Sequence, residues 1–162
     1  MSEEHWTFSE KETLALARTF AVRLQRGDVV ALLGELGTGK TLFVKGICEA
    51  FGAQEHVSSP SFIILNRYEG KDQSKRELLI YHLDLYRVKS LDEIYDLGYE
   101  EFFYGDGITL IEWAEQLGDL LPSKRHEVHL SYGESDSQRR ISIELFQTPA
   151  VSVISEKRVG TQ

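Results

Sequence analysis

The sequence predicts an α/β fold, one domain in which a mixed sheet with a parallel core and added antiparallel strands is flanked by helices. Three observations carry this expectation. An unbroken apolar run at 29–33 leads into Gly34-Glu35-Leu36-Gly37-Thr38-Gly39-Lys40-Thr41 and then into helix-spaced Leu42, Phe43 and Ile47. Apolar runs at 78–87 and 108–113 alternate with capped, helix-like segments. Two segments of period-two alternation, 127–132 and 140–146, close the pattern. A length of 162 residues suits one such domain.

Taken in order, Trp6-Thr7-Phe8 alternates as a short strand, and Ser9 with Glu12 has capping-box form before Leu14, Ala17, Phe20, Ala21 and Leu24. That spacing predicts an amphipathic helix over 10–26, stopped by Gly27. Residues 29–33 do not alternate, as expected of a central strand covered on both faces. The helix after the glycine-rich loop spans 40–51 and ends at Gly52. Pro60 forbids regular pairing in the polar loop 57–61 and holds Ser59 extended. A strand at 62–68, a polar turn at 69–75 and a returning strand at 78–87 form an antiparallel hairpin. Ser90 and Glu93 cap a helix ending at Leu97 and Gly98, and a brief helical turn covers 100–103. Gly105-Asp106-Gly107 turns into strand 108–113, and 114–121 reads as a helix broken by Pro122. The last two strands are joined by the turn 133–139 and present one solvated face. The chain is expected to divide into a domain at 1–148 and a mobile tail at 149–162.

Composition limits the function classes. Twenty-six acidic side chains against 18 basic ones give a net charge of −8, which argues against a broad, sequence-independent grip on DNA or RNA. Any RNA contact is then expected through partners. Cys48 is the only cysteine, so an intramolecular disulfide and a thiolate metal cage are excluded; a buried, inert thiol is expected. No 18-residue apolar run exists, and Met1-Ser2-Glu3-Glu4-His5 lacks a basic flank or hydrophobic stretch. A cytoplasmic protein with no membrane partner is expected.

The stretch 34–41 is G-x-x-x-x-G-K-T, the phosphate loop of a P-loop nucleotide site. Gly34, Gly37 and Gly39 let the backbone curl so that successive N–H groups converge on phosphate oxygens. The helix that begins there adds its positive dipole end. Lys40 brings a point charge to the β- and γ-phosphates, and the Thr41 hydroxyl is a hard-oxygen ligand for Mg²⁺.

Hydrolysis needs more than a loop: a carboxylate near the metal, a group to position water and a sensor of the γ-phosphate. Asp84 follows Ile80-Tyr81-His82-Leu83 in Walker-B form, and Glu112 holds the equivalent place after Ile108-Thr109-Leu110-Ile111. Either one, at the carboxyl end of a parallel strand, reaches the Mg²⁺ held by Thr41, and the spacing does not say which binds metal and which orients water. Ser58-Ser59-Pro60-Ser61 lies where a γ-phosphate-sensing loop would lie, although its spacing suits a plain connection equally well. Trp113 suits a base-stacking role or a core position. His82 reads as a hydrogen-bonded structural histidine in preference to a base.

Six segments in order, G-E-L-G-T-G-K-T at 34–41, S-P-S-F at 59–62, Y-H-L-D-L-Y-R at 81–87, L-G at 97–98, I-E-W at 111–113 and L-P at 121–122, together resemble the bacterial TsaE (YjeE-like) family. The resemblance runs from residue 7 to about 146. It implies a small P-loop ATPase of tRNA threonylcarbamoyladenosine biosynthesis, with ATP and Mg²⁺ as cofactors. It further implies that Leu36 to Thr41 wrap the phosphates, that Thr41 and Glu112 hold Mg²⁺, and that Asp84 supports water or the metal. Trp113 would lie near the nucleotide, and Ser59-Pro60-Ser61 would form the switch-like loop. The implied partners are TsaB and TsaD, whose heterodimer the family binds; the tRNA is reached through them. The family does not itself transfer the threonylcarbamoyl group. Leu42, Ser61 and Ala114 depart from residues common in the family: Leu42 removes one possible phosphate or ribose hydroxyl and Ser61 keeps its hydroxyl, and neither of these two undermines ATP binding, although each can shift the affinity.

Other P-loop classes fit less well. No N-K-x-D guanine reader is present, which favours ATP over GTP, and the signature loop of ABC-type ATPases is missing. A small-molecule kinase using Asp84 as base would bring an arginine-rich lid, whereas Arg87, Arg125, Arg139 and Arg140 are scattered. A nucleotide-dependent scaffold without turnover is the remaining alternative.

Overall fold

The computed structural model describes residues 2–58 and 64–147. Among these, seven strands form one sheet in the order β1-β7-β6-β2-β5-β4-β3. They are β1 (Glu3–Thr7), β2 (Val29–Leu33), β3 (Leu65–Lys71), β4 (Glu77–Asp84), β5 (Ile108–Glu112), β6 (Lys124–Tyr132) and β7 (Arg139–Gln147). β2 pairs in parallel with both β5 and β6, and β4 pairs in parallel with β5. The β3–β4, β6–β7 and β1–β7 pairs are antiparallel. The expected parallel core with antiparallel additions is therefore the observed sheet, and β2 is its middle strand. No helix among the described residues is long and apolar enough to cross a membrane.

Two cores lie on opposite faces. Helices α1 (Glu10–Ala21) and α2 (Lys40–Ala50) close one face, where Phe20, Phe43, Ile47, Ile80, Leu110, Val128 and Ile141 are buried. Helices α3 (Leu91–Leu97) and α4 (Tyr99–Phe103) and the 3-10 segment Ala114–Leu120 serve the other, around Ala31, Leu83, Leu85, Ile94, Ile111 and Leu117. All five residues of β5 are buried, which explains why its sequence does not alternate. On β6 and β7, Val128, Leu130, Ile141 and Ile143 face α1 and α2, so period-two alternation follows from one covered face.

Several boundaries differ from the sequence expectation. α1 ends at Ala21 instead of residue 26, because Val22, Arg23 and Leu24 bond back three residues and tighten into a turn that still buries Leu24. β3 runs on through Gly70 and Lys71, which the sequence assigns to a turn. The end of α2 abuts this edge: the Lys71 N–H donates to the Phe51 carbonyl, and a Cβ at Gly70 would lie 2.7 Å from that oxygen. β4 stops at Asp84 instead of residue 87, where Asp84 Oδ1 accepts the Tyr86 N–H and turns the chain. The helix expected at 114–121 is a 3-10 segment interrupted at Gly118. The expected strand start at 62–63, the loop 59–61 and the tail after residue 148 lie outside the described residues.

Candidate functional site

The parallel strands β2, β5 and β4 all end at the same edge of the sheet, which is where open α/β sheets hold ligands. Gly34 to Gly39 leave β2 there, and α2 begins at Lys40 with Gly39 as its N-cap. Gly37 and Gly39 have φ of 81° and 107°, backbone that favours glycine. Gly34 is also required sterically, since a Cβ would lie 2.3 Å from the Leu130 carbonyl of the neighbouring β6.

Residues 71 positions apart meet across this edge. Thr41 Oγ1 donates to Glu112 Oε1 at 2.7 Å, and His82 Nε2 contacts Glu112 Oε2 at 2.5 Å. With Glu112 accepting, Nε2 carries the proton and Nδ1 accepts from the Tyr68 hydroxyl at 3.2 Å. The chain Tyr68–His82–Glu112–Thr41 is buried over its first three members. His82 is thus the hydrogen-bonded histidine expected, but what it holds is the carboxylate of the site. Asp84 and Glu112 are register partners on adjacent strands, so both carboxylates stand side by side.

Lys40 Nζ lies within the loop, donating to the carbonyls of Gly34 at 2.6 Å and Glu35 at 2.8 Å, and sits 4.1 Å from the Trp113 ring centroid. Burial pulls its ammonium below the usual lysine range, against the opposing carboxylates of Glu112, Glu115 and Asp84. Trp113 adopts φ of 57° and packs on Tyr86 at 5.0 Å, so it borders the site and the second core together. Thr38 Oγ1 donates to the Glu35 carbonyl, closing the loop on itself.

A cavity of about 290 Å³ is lined by Leu36, Gly37, Gly39, Lys40, Thr41, Leu42, Asp84, Tyr86, Glu112 and Trp113. Every described residue assigned to catalysis or metal from the sequence lines it; Gly34, Glu35 and Thr38 shape the loop behind it. Ser59 lies outside the described residues. The donor set fits a triphosphate with Mg²⁺: one ammonium, a hydroxyl and two carboxylates, all hard donors, below a glycine-rich turn that opens a helix. A larger cleft of about 1170 Å³ lies at the opposite end of the strands, but its Arg26 is already tied to Asp72, Asp106 and the Glu77 carbonyl.

Sequence reasoning missed two residues at the loop. Tyr132 Oη donates to the Leu36 carbonyl, and Arg139 Nε donates to the Thr38 carbonyl at 3.1 Å. Arg139 lies 101 residues beyond Thr38 in the sequence, beside Arg140; the β6–β7 pairing beside β2 is what carries it to the loop.

The family model "Threonylcarbamoyl adenosine biosynthesis protein TsaE" matches residues 7–141. Among curated proteins, the chain is 38% identical over 143 residues to the tRNA threonylcarbamoyladenosine biosynthesis protein TsaE of Bacillus subtilis, covering 88% of this chain and 85% of the relative. It is 42% identical over 131 residues to the protein of that name from Rickettsia bellii, covering 80% and 87%. Among solved structures, the crystal structure of Bacillus subtilis YdiB superposes with a TM-score of 0.73 at 33% identity, covering 90% of this chain and 86% of that one.

Proposed function

The chain belongs to the TsaE family of threonylcarbamoyl adenosine biosynthesis proteins, and from that premise we propose that it binds and hydrolyses ATP with Mg²⁺ to drive a TsaB–TsaD partner complex. The observation that carries this reading is the bridge from Thr41 through Glu112 to His82, which presents a hydroxyl and an oriented carboxylate beside the P-loop. The ATPase unit is assigned to residues 1–148.

In this reading the amides of the glycine-rich loop and the Lys40 ammonium bind and orient the phosphates. Thr41 and Glu112 hold the metal, with His82 fixing the Glu112 carboxylate in place. Asp84, beside Glu112, accepts a hydrogen bond from water and so orients it. Trp113 walls the site and keeps Lys40 inside it. Mg²⁺–ATP, when bound, supplies the phosphoryl group and the cation that offsets the charge developing on it. The tRNA is reached through the partners, in keeping with a net charge of −8.

ATP-dependent co-purification tests the partnership. Tagged chain should retain a TsaB–TsaD pair with ATP and Mg²⁺ and release it without nucleotide; retention that ignores nucleotide would contradict an ATP-driven partnership, and ATP-dependent retention without phosphate release would favour the scaffold alternative.

A further inference from the structure

We propose that the β6–β7 hairpin, through Tyr132 and Arg139, holds the P-loop in its phosphate-binding shape, which makes these two residues positioning residues for nucleotide. The inference rests on the reading of 34–41 as a nucleotide site. A loop whose amides serve an anion must turn its carbonyls away, and those carbonyls then need donors of their own. In a planar trans peptide C=O and N–H point in opposite directions. Fixing the Leu36 carbonyl on Tyr132 Oη therefore aims the Gly37 N–H the other way, and fixing the Thr38 carbonyl on Arg139 Nε does the same for Gly39. Arg139 Nη2 also approaches the Gly37 carbonyl, at 3.5 Å.

Three glycines with positive φ make this segment costly to order, so external donors matter more here than in an ordinary turn. The fit is close: a Cβ at Gly37 would lie 2.7 Å from Tyr132 Oη. The two side chains act as a unit, with the Arg139 guanidinium 4.7 Å from the Tyr132 ring centroid. Arg139 Nη1 binds the Asp136 and Gln138 carbonyls, so the loop is tied to the hairpin's own turn. Neither residue lines the cavity, and their action on nucleotide passes through the loop.

Binding of ATP and of ADP, each by competition with a fluorescent nucleotide, tests this in Arg139→Ala, Arg139→Lys and Tyr132→Phe, beside thermal unfolding without nucleotide. Arg139→Ala should weaken both nucleotides alike, by about tenfold, the scale of losing charge-assisted hydrogen bonds. Arg139→Lys should recover part of the loss, and Tyr132→Phe, which keeps the ring, should show a smaller loss for both. Unchanged affinities would overturn the proposal. So would a loss confined to ATP, which would make Arg139 a γ-phosphate contact, or a loss that merely tracks a fall in Tm. A wild-type chain that binds neither nucleotide overturns the proposed function and this role with it, whereas equal affinities in wild type and variants overturn this role alone.

Discussion

The hydroxyl of Thr41, at the start of α2, donates to Glu112 Oε1 at 2.7 Å across 71 residues of sequence. This contact joins the start of α2, after the glycine-rich loop, to the end of β5 and pairs Glu112, not its neighbour Asp84, with the hydroxyl proposed to bind metal. Glu112→Gln should therefore weaken Mg²⁺-dependent hydrolysis more than it weakens metal-free nucleotide binding. Nucleotide titrations with Mg²⁺ and with EDTA, beside phosphate release, give the comparison. Equal effects on both would move the metal role to Asp84.

His82 donates from Nε2 to the other oxygen of the same carboxylate and is itself fully buried. Removing it in His82→Ala should lower Mg²⁺ affinity or activity by about 10–100-fold, the range found for residues that orient metal ligands. His82→Gln, which can still donate, should recover part of that. A Mg²⁺ titration of hydrolysis at saturating ATP reads the effect; an alanine variant with unaltered Mg²⁺ dependence would leave His82 with packing alone.

The strand–loop–helix unit, the middle position of β2 and the two strand-end carboxylates were legible in the sequence because each rests on local spacing. The Tyr68–His82 contact was not, since it depends on the β3–β4 register that sets Tyr68 near His82. Arg139 was illegible for the same reason: nothing near it in sequence marks a partner, and only the β6–β7 pairing beside β2 delivers it to Thr38. The end of α1 was misjudged because Leu24 is buried from a turn as well as it would be from a helix.

Gly46 lies where α2 crosses α1, and a Cβ there would stand 2.5 Å from Ala17 Cβ and 2.8 Å from the Leu14 carbonyl. Gly46→Ala should destabilise the fold by about 1–3 kcal/mol through overpacking, despite the better helix propensity of alanine. At about 2–4 °C per kcal/mol, a thermal melt resolves this. An unchanged or raised Tm would contradict the close helix approach.

Cys48 is buried on α2, and burial, aided by the Glu55 and Glu49 carboxylates, pushes its thiol up to about 12 from 9.0. The thiolate is the reactive form, so at pH 8 the native thiol should stay unlabelled by iodoacetamide and react after denaturation. Mass spectrometry of the two samples decides the matter. Rapid labelling of folded protein would contradict the buried position.

Phosphate release from ATP by the purified chain, with and without Mg²⁺ and with and without a TsaB–TsaD pair, tests the central claim most directly. The account predicts release that requires Mg²⁺, rises with the partners and disappears in Lys40→Ala, with no phosphorylated small-molecule acceptor formed. Wild-type protein that releases no phosphate under any of these conditions, or Lys40→Ala protein that releases it at the wild-type rate, would contradict it.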